Sequence, residues 1–305
     1  MRLAIIGPGA LGTMLAINLA EGGGLDIWLI DRDSDRAAAL AVAPLVLELA
    51  EQRSLKSDKI RVTASPAGPF SFIILAVKSA DVAAGLAAAV PLSGPDTMVI
   101  SMVNGLDHLE QMRAWPGPGL AAAGVTAMGA TLLSPGRVRF GGAGLTRFGL
   151  VGQVTPAGRK NLRQLAEIFS RAKMAARTCD DIAQEIWNKL LVNVGINGLT
   201  AIHDCRNGEL ADDPDLAVQL AAAVREAARV GEGLGFSFTE DPVARAIEVC
   251  RATADNISSM LQDIRKGKKT EIMAINGAVV RLGKELGIKT PVNRRIMDRV
   301  LALGG

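Results

Sequence analysis

The chain is expected to fold as an α/β protein, with an N-terminal Rossmann-type doubly wound sheet domain over residues 1–178 and an all-α domain over residues 179–305. Three observations predict this. Up to about residue 178, short apolar runs alternate with helical stretches, the pattern of parallel strands joined by crossover helices. A glycine-rich turn stands at the first strand-to-helix junction. From about Asp180 strand signals stop and helical runs follow one another. With 305 residues, 49% of them hydrophobic, the chain can bury a large core and its length fits about two domains.

The first buried strand is read at residues 3–6, and Gly7-Pro8-Gly9-Ala10-Leu11-Gly12 follows it as a complete G-x-G-x-x-G. The motif opens a helix over residues 12–21 whose apolar members include Met14, Leu15, Ile17 and Leu19. A second strand at residues 25–30 ends in Asp31, about 20 residues beyond the motif, where a dinucleotide-binding βαβ unit carries its ribose-binding acid. Gly7, Gly9, Ala10, Leu11 and Gly12 are therefore the expected phosphate cradle: the glycines permit a tight turn and close backbone approach, and the helix start offers free N–H groups. Asp31 suits the ribose of NAD and Arg32 suits the 2′-phosphate of NADP, so the residues leave both cofactors open.

Further strands are read at residues 72–77 and 98–102, with helices at 80–89 and 106–113. Lys78 and Asn104 fall just past the carboxyl ends of those strands, the edge at which open α/β sheets bind ligands. Residues 131–133, 138–140 and 146–148, separated by Ser134-Pro135-Gly136 and Gly141-Gly142-Ala143-Gly144, read as antiparallel strands at the edge of the same domain. Helical runs then follow at 181–198, 214–234, 240–265, 271–287 and 291–303, with Gly233, Gly235 and Gly287 as stops.

The helix at 181–198 carries an unusual stripe. Lys189, Asn193 and Asn197 stand at four-residue steps in an otherwise apolar segment; at roughly 100° per residue they drift only about 40° per step and share one face. A solvent strip is the simple alternative, but such strips favour Glu, Lys and Arg, whereas asparagine is a poor mid-helix residue unless its amide is used. The stripe is where the chemistry is expected.

Composition narrows the function. A net charge of +3, with no basic tail and no interleaved aromatics, gives no reason to expect a nucleic-acid partner. Three scattered cysteines and two histidines offer no metal spacing and no disulfide framework, and the free thiols suit a reducing cytosol. The four apolar residues before Gly7 are too few for a signal-peptide core, and the uncharged run at 116–136 is broken by glycines and prolines, so no membrane association is expected. A cytoplasmic protein is the expectation. His203 reads as a surface or structural histidine, Cys205 as inert, Trp187 as packing its helix against the sheet domain, and residues 265–269 as a solvated basic loop.

With these residues in hand, the whole chain resembles the ketopantoate reductases (2-dehydropantoate 2-reductases). The matching pieces are the glycine motif, Ala76-Val77-Lys78, Asn104-Gly105, Trp187-Asn188-Lys189-Leu190-Leu191-Val192-Asn193, Ile196-Asn197-Gly198-Leu199-Thr200-Ala201, Asn207-Gly208-Glu209-Leu210, Asn256-Ile257-Ser258-Ser259-Met260-Leu261-Gln262-Asp263 and Thr270-Glu271-Ile272. The resemblance implies NADPH-dependent reduction of 2-dehydropantoate to pantoate on the route to pantothenate, in an interdomain active site. It implies Lys189 as general acid, Asn104, Asn193, Asn197, Asn207 and Ser259 as substrate contacts, and Glu271 as a catalytic or cofactor partner. Lys78, Asn104 and Ala130 would touch the cofactor. Arg32 matches the basic residue the family carries after the second strand, while Asp31 replaces a smaller neutral one; NADP(H) is expected and Asp31 keeps NAD(H) open. A small 2-keto acid is the expected partner, and a homodimer is left open. The competing readings are a reductase of another 2-keto acid or a branched hydroxy acid, and a dinucleotide-binding sensor without catalysis.

Overall fold

The computed structural model describes residues 1–49 and 54–304. These form two compact units, Met1–Val103 with His108–Ile182, and Asn104–Asp107 with Ala183–Gly305. The first unit therefore extends past residue 178, and a short segment from within the first half, Asn104–Asp107, belongs to the second unit.

In chain order the elements of the first half are β1 (Arg2–Ile6), α1 (Ala10–Glu21), β2 (Asp26–Ile30), α2 (Ser34–Ala41), β3 (Leu45–Glu48), β4 (Ser54–Ser57), β5 (Ile60–Thr63), β6 (Phe72–Leu75), α3 (Val82–Ala89), β7 (Met98–Ser101), α4 (Asp107–Arg113), β8 (Leu120–Thr126), β9 (Gly129–Ser134), β10 (Arg137–Gly142), β11 (Thr146–Leu150), α5 (Pro156–Arg171) and β12 (Ala176–Thr178). The second half contributes α6 (Ile182–His203), α7 (Glu209–Asp212), α8 (Pro214–Gly233), α9 (Pro242–Ala252), α10 (Ser259–Arg265), α11 (Asn276–Glu285) and α12 (Pro291–Ala302).

Among the described residues, the main sheet runs in the order β12-β11-β8-β7-β6-β1-β2-β5. Its pairings from β5 to β8 are parallel, β11 joins β8 antiparallel, and β12 returns parallel to β11. Every residue of β6 and β7 is buried, as it must be for strands covered on both faces. The strand signals at 72–77 and 98–102 shorten slightly to β6 and β7, which puts Val77, Lys78 and Asn104 in the loops beyond the sheet edge.

A second sheet, ordered β4-β3-β10-β9, accompanies the first. The expected hairpin of β9 and β10 is antiparallel, but β10 pairs on its other side with β3, and β11 leaves the group to pair with β8 in the main sheet. The expectation of three consecutive antiparallel neighbours is corrected on this point. The chain crosses back at Gly144, where an added Cβ would lie 2.3 Å from the Ala127 carbonyl carbon, so only glycine lets the two backbones pass so closely. The second sheet packs on α1, and Leu45, Leu47 and Val138 share a core with Met14, Leu15 and Ile17. That cover explains why α1 is buried on more than one face.

In the second unit α6 is the central helix, running beyond the expected residue 198 to His203 and buried from Val194 to Ala201 on every side. Its glycines mark where neighbours press in: a Cβ on Gly195 would lie 2.8 Å from Val224 of α8, and one on Gly198 2.3 Å from Ile296 of α12. Trp187 is fully buried and stacks on Phe236 with ring centroids 5.1 Å apart. Phe236, in the loop after α8, is thus a packing partner within its own unit. The helical run read at 240–265 is divided into α9 and α10, since Ser258 caps a new helix by accepting the Leu261 N–H at 3.1 Å. The run read at 271–287 starts as a single 3-10 turn, Ile272–Ala274, before α11.

The start of α12 is anchored by Glu226 on α8. This carboxylate, 4% exposed, accepts the backbone N–H groups of Val292 and Asn293 and the Asn293 side-chain amide, each at 2.9 to 3.0 Å. It satisfies helix N–H groups that have no intrahelical partner, and its negative charge faces the positive end of the helix. Asn276 extends the link, donating to Asn293 at 2.9 Å and to the Val194 carbonyl of α6 at 3.1 Å.

Because Gly198 leaves no room for a methyl group against Ile296, Gly198→Ala is expected to destabilise the protein by roughly 1 to 3 kcal/mol through overpacking. Urea unfolding measures it, and an unchanged midpoint would mean that α12 yields without cost.

Candidate active site

The glycine motif builds a tight turn at the start of α1. Gly7 has φ +107°, and a Cβ there would sit 2.8 Å from the Ala76 carbonyl oxygen at the end of β6; a Cβ on Gly12 would sit 2.0 Å from the Gly7 oxygen. Both glycines are required by close backbone approach. Gly9 differs, because a Cβ there meets nothing within 4 Å. It is the N-cap of α1, makes no side-chain cap, and is followed by a first turn without an acid, so the first N–H groups of the helix are left without a side-chain acceptor from the cap. A phosphate group fits such a cradle in both charge and room.

At the end of β2, Asp31 is 1% exposed. Both of its oxygens are held by a forked pair of hydrogen bonds from Arg36 in the first turn of α2, and Oδ1 also accepts the Asp33 N–H at 3.1 Å. Burial works to raise its pKa, yet these bonds and the guanidinium charge outweigh it and hold the carboxyl below its ordinary value. Arg32 is largely exposed and donates to Asp81 at 2.7 Å. Lys78 is exposed at the start of the turn that contains Asp81, and Ala130 lies on β9, in the sheet that packs on α1. Arg36 did not figure among the expected residues. Its only signal in the sequence is position, one helical turn beyond an acid that ends a strand.

The second unit gathers the ammonium, an amide and a carboxylate into one line. Lys189 Nζ donates to Asn104 Oδ1 at 2.9 Å, and Asn104 Nδ2 donates to Glu271 Oε2 at 3.0 Å. The amide has one sensible orientation, since turning it over would set its NH₂ against the ammonium and its oxygen against the carboxylate. Asn104 therefore joins Lys189 to Glu271 through its amide. Burial lowers the Lys189 pKa to about 8, with the Glu271 charge pulling in the opposite direction. Glu271 stands before the 3-10 turn, does not cap it with its side chain, and accepts from Asn104.

From Lys189 the stripe continues along α6 through half-buried Asn193 to Asn197, 7% exposed, a span of about 12 Å at the rise of an α-helix. One turn further, Thr200 donates to Ser258 at 2.7 Å and so pins the start of α10 to α6. Ser259, exposed, is the first residue of α10. Asn207 is tied elsewhere: it donates to Thr253 at 2.9 Å, its backbone N–H bonds Asn256, and its buried Oδ1 has no hydrogen-bond partner among the described residues. It joins the loop after α6 to the loop after α9, and among the described residues no hydrogen bond connects it to the lysine line. His203 is exposed, and burial raises the Cys205 thiol. Arg265 pairs with Asp204 at 2.8 Å, at the edge of an exposed basic loop.

A phosphate-ready turn at the head of a parallel sheet, and a lysine whose proton affinity is brought towards neutrality, are the working parts of an NAD(P)H-dependent oxidoreductase. Comparison with known proteins narrows the class. Residues 3–153 match the model of the family described as ketopantoate reductase PanE/ApbA, and residues 181–303 match that of its C-terminal part. The 2-dehydropantoate 2-reductase of Halobacterium salinarum is 32% identical over 301 residues, covering 98% of both chains. Among solved structures, the PanE/ApbA family ketopantoate reductase from Ralstonia eutropha superposes with a TM-score of 0.87 at 26% identity, covering 100% of this chain and 98% of that one. D-mandelate dehydrogenase with NADH and anilino(oxo)acetate does so with a TM-score of 0.88, also at 26% identity and the same coverage. The chain belongs to the ketopantoate reductase family.

The site electrostatics can be read directly. In protein carrying ¹³C-labelled lysine, the Lys189 side chain is expected to titrate near pH 8, and Glu271→Gln should move that midpoint to lower pH, because the carboxylate is what raises it. A midpoint near the ordinary lysine value, or one indifferent to Glu271→Gln, would contradict the assignment.

Proposed function

We propose that the chain is a cytoplasmic enzyme that reduces 2-dehydropantoate to pantoate with NADPH, on the route to pantothenate, with Lys189 as general acid. The observation that carries the reading is the line from Lys189 through Asn104 to Glu271, with the lysine poised near pH 8. The family membership supports the substrate, and the glycine cradle supports a dinucleotide.

A bound dihydronicotinamide supplies the hydride that the keto carbon takes up. The chain's own part is to hold the keto acid and to give the carbonyl oxygen a proton as negative charge develops there. An ammonium has three N–H donors; one is spent on Asn104, and the other two are free for the carbonyl oxygen. A pKa of about 8 leaves Lys189 mostly protonated at neutral pH while making its proton easier to release than that of an ordinary lysine. Glu271 acts on Lys189 through the amide and through its charge, which keeps the acid form populated. Asn193 and Asn197 offer neutral donors and acceptors to the substrate without locking Lys189 in an ion pair. Ser259 can add a hydroxyl and a helix-start N–H towards a carboxylate. Asn207 is left with a supporting role for the loop it ties.

A second reading, a reductase of another 2-keto acid, is favoured by the similarity to D-mandelate dehydrogenase. Steady-state assays of 2-dehydropantoate and a panel of 2-keto acids, with NADPH and NADH in parallel, separate the two: the first requires the highest kcat/KM for 2-dehydropantoate. If neither cofactor is oxidised with any keto acid although both bind, a dinucleotide sensor replaces both readings. Lys189→Ala is expected to lower kcat by about 10² to 10⁴, the usual worth of a positioned general acid, with the Kd for NADPH nearly unchanged. Turnover close to that of the unaltered protein would take Lys189 out of the mechanism.

A further inference from the structure

An acid at the end of the second strand of a dinucleotide fold ordinarily accepts hydrogen bonds from the ribose hydroxyls of NAD, and a free carboxylate there repels a 2′-phosphate. Asp31 occupies that position, and the structure withdraws it from use. It is 1% exposed, its two oxygens are taken by the Arg36 fork, and the Asp33 N–H fills a further acceptor site. A fork on a carboxylate is among the strongest side-chain pairings, and freeing Asp31 for a ribose would require breaking both bonds in a buried place.

The pair also cancels the local charge. What remains towards solvent is the outer face of Arg36, whose side chain is 47% exposed, together with Arg32, 74% exposed, which has Asp81 at 2.7 Å. Exposed ion pairs of that kind are weak, so Arg32 is able to leave Asp81 for a doubly charged phosphate at small cost. The same residues without Arg36 would present a carboxylate at the strand end.

We propose that Arg36 is a specificity-determining residue: by holding Asp31 in a fork it turns a strand end built to read the NAD ribose into one that accepts the 2′-phosphate of NADP. The inference rests on the dinucleotide reading above and adds the residue that decides between its two cofactors. Arg36 acts on the cofactor through Asp31, so it is a positioning residue and its signature lies in binding ratios.

The test is calorimetric titration of the whole protein with NADPH, NADH, 2′,5′-ADP and 5′-ADP. The unaltered protein is expected to bind NADPH and 2′,5′-ADP at least tenfold more tightly than their counterparts without the 2′-phosphate. Arg36→Ala should lower affinity for both 2′-phosphorylated ligands tenfold or more and leave NADH binding equal or tighter, so that the preference falls towards unity or inverts. Asp31→Asn, which keeps Arg36 and removes the acid, should retain the preference for the 2′-phosphate. It is also the variant to use if Arg36→Ala does not fold, which thermal melting reports. Restoration of at least part of the NADPH affinity in the double variant Asp31→Asn with Arg36→Ala would show that the effect passes through Asp31. A preference unchanged in Arg36→Ala, or lost in Asp31→Asn, overturns the proposal while leaving the reductase reading intact. If the unaltered protein binds none of the four ligands, the dinucleotide reading itself fails.

Discussion

The demand that organises the second unit is that an ammonium must be kept half-buried yet chemically available. A lysine in such a place loses hydration and tends to give up its proton; paired directly with a carboxylate, it would instead hold the proton too firmly. Asn104 resolves the conflict by standing between the two. It accepts from Lys189 and donates to Glu271, so the carboxylate's charge is felt by the lysine without a direct ion pair. The net result is a pKa of about 8, reached because burial outweighs the carboxylate. The remainder of the unit serves that placement. Two glycines let α8 and α12 close on α6, Glu226 and Asn276 lock the start of α12 against it, and the Thr200 to Ser258 bond sets the beginning of α10.

The first unit solves a different problem, which is to hold a glycine turn in one arrangement. Close backbone contacts at Gly7 and Gly12 press the turn against β6, and the second sheet covers the outer side of α1. Of the three motif glycines, Gly9 is the one that borders open room. A turn fixed in this way presents its N–H groups in one arrangement, and the ordering needed to bind a phosphate has already been met by folding.

Much of this was legible in the sequence, for reasons that differ from residue to residue. The strands β1, β2, β6 and β7 are buried on both faces and read as continuous apolar runs, and the glycine motif has a required spacing relative to them. Lys189, Asn193 and Asn197 stood out as one face of a helix because asparagine is a poor choice there, and the structure keeps all three on α6, with Lys189 bonded to Asn104. The second sheet was hidden: β3 and β4 are four residues each, mix polar with apolar positions, and β3 gains its other partner from a hairpin far along the chain. The division of α9 from α10 depended on a single serine cap inside an otherwise helical pattern. Arg36 and the bridging role of Asn104 were invisible for a deeper reason. Both are defined by which side chain they meet, and Asn104 meets Glu271 across 167 positions of sequence.

The excursion of Asn104–Asp107 has a consequence for how this architecture can change over time. The boundary in the gene and the boundary in space do not coincide. Four residues encoded in the first half are built into the second unit, where one is the acceptor for Lys189 and another, Asp107, pairs with Arg281 on α11. Exchange of the C-terminal half between two members of such a family would therefore separate the lysine from its amide unless the donor sequence met an identical loop. Shuffling of whole halves, the easiest way to recombine a cofactor domain with a new substrate domain, is penalised at this one loop. New specificities in this architecture should consequently arise by substitution within an intact chain.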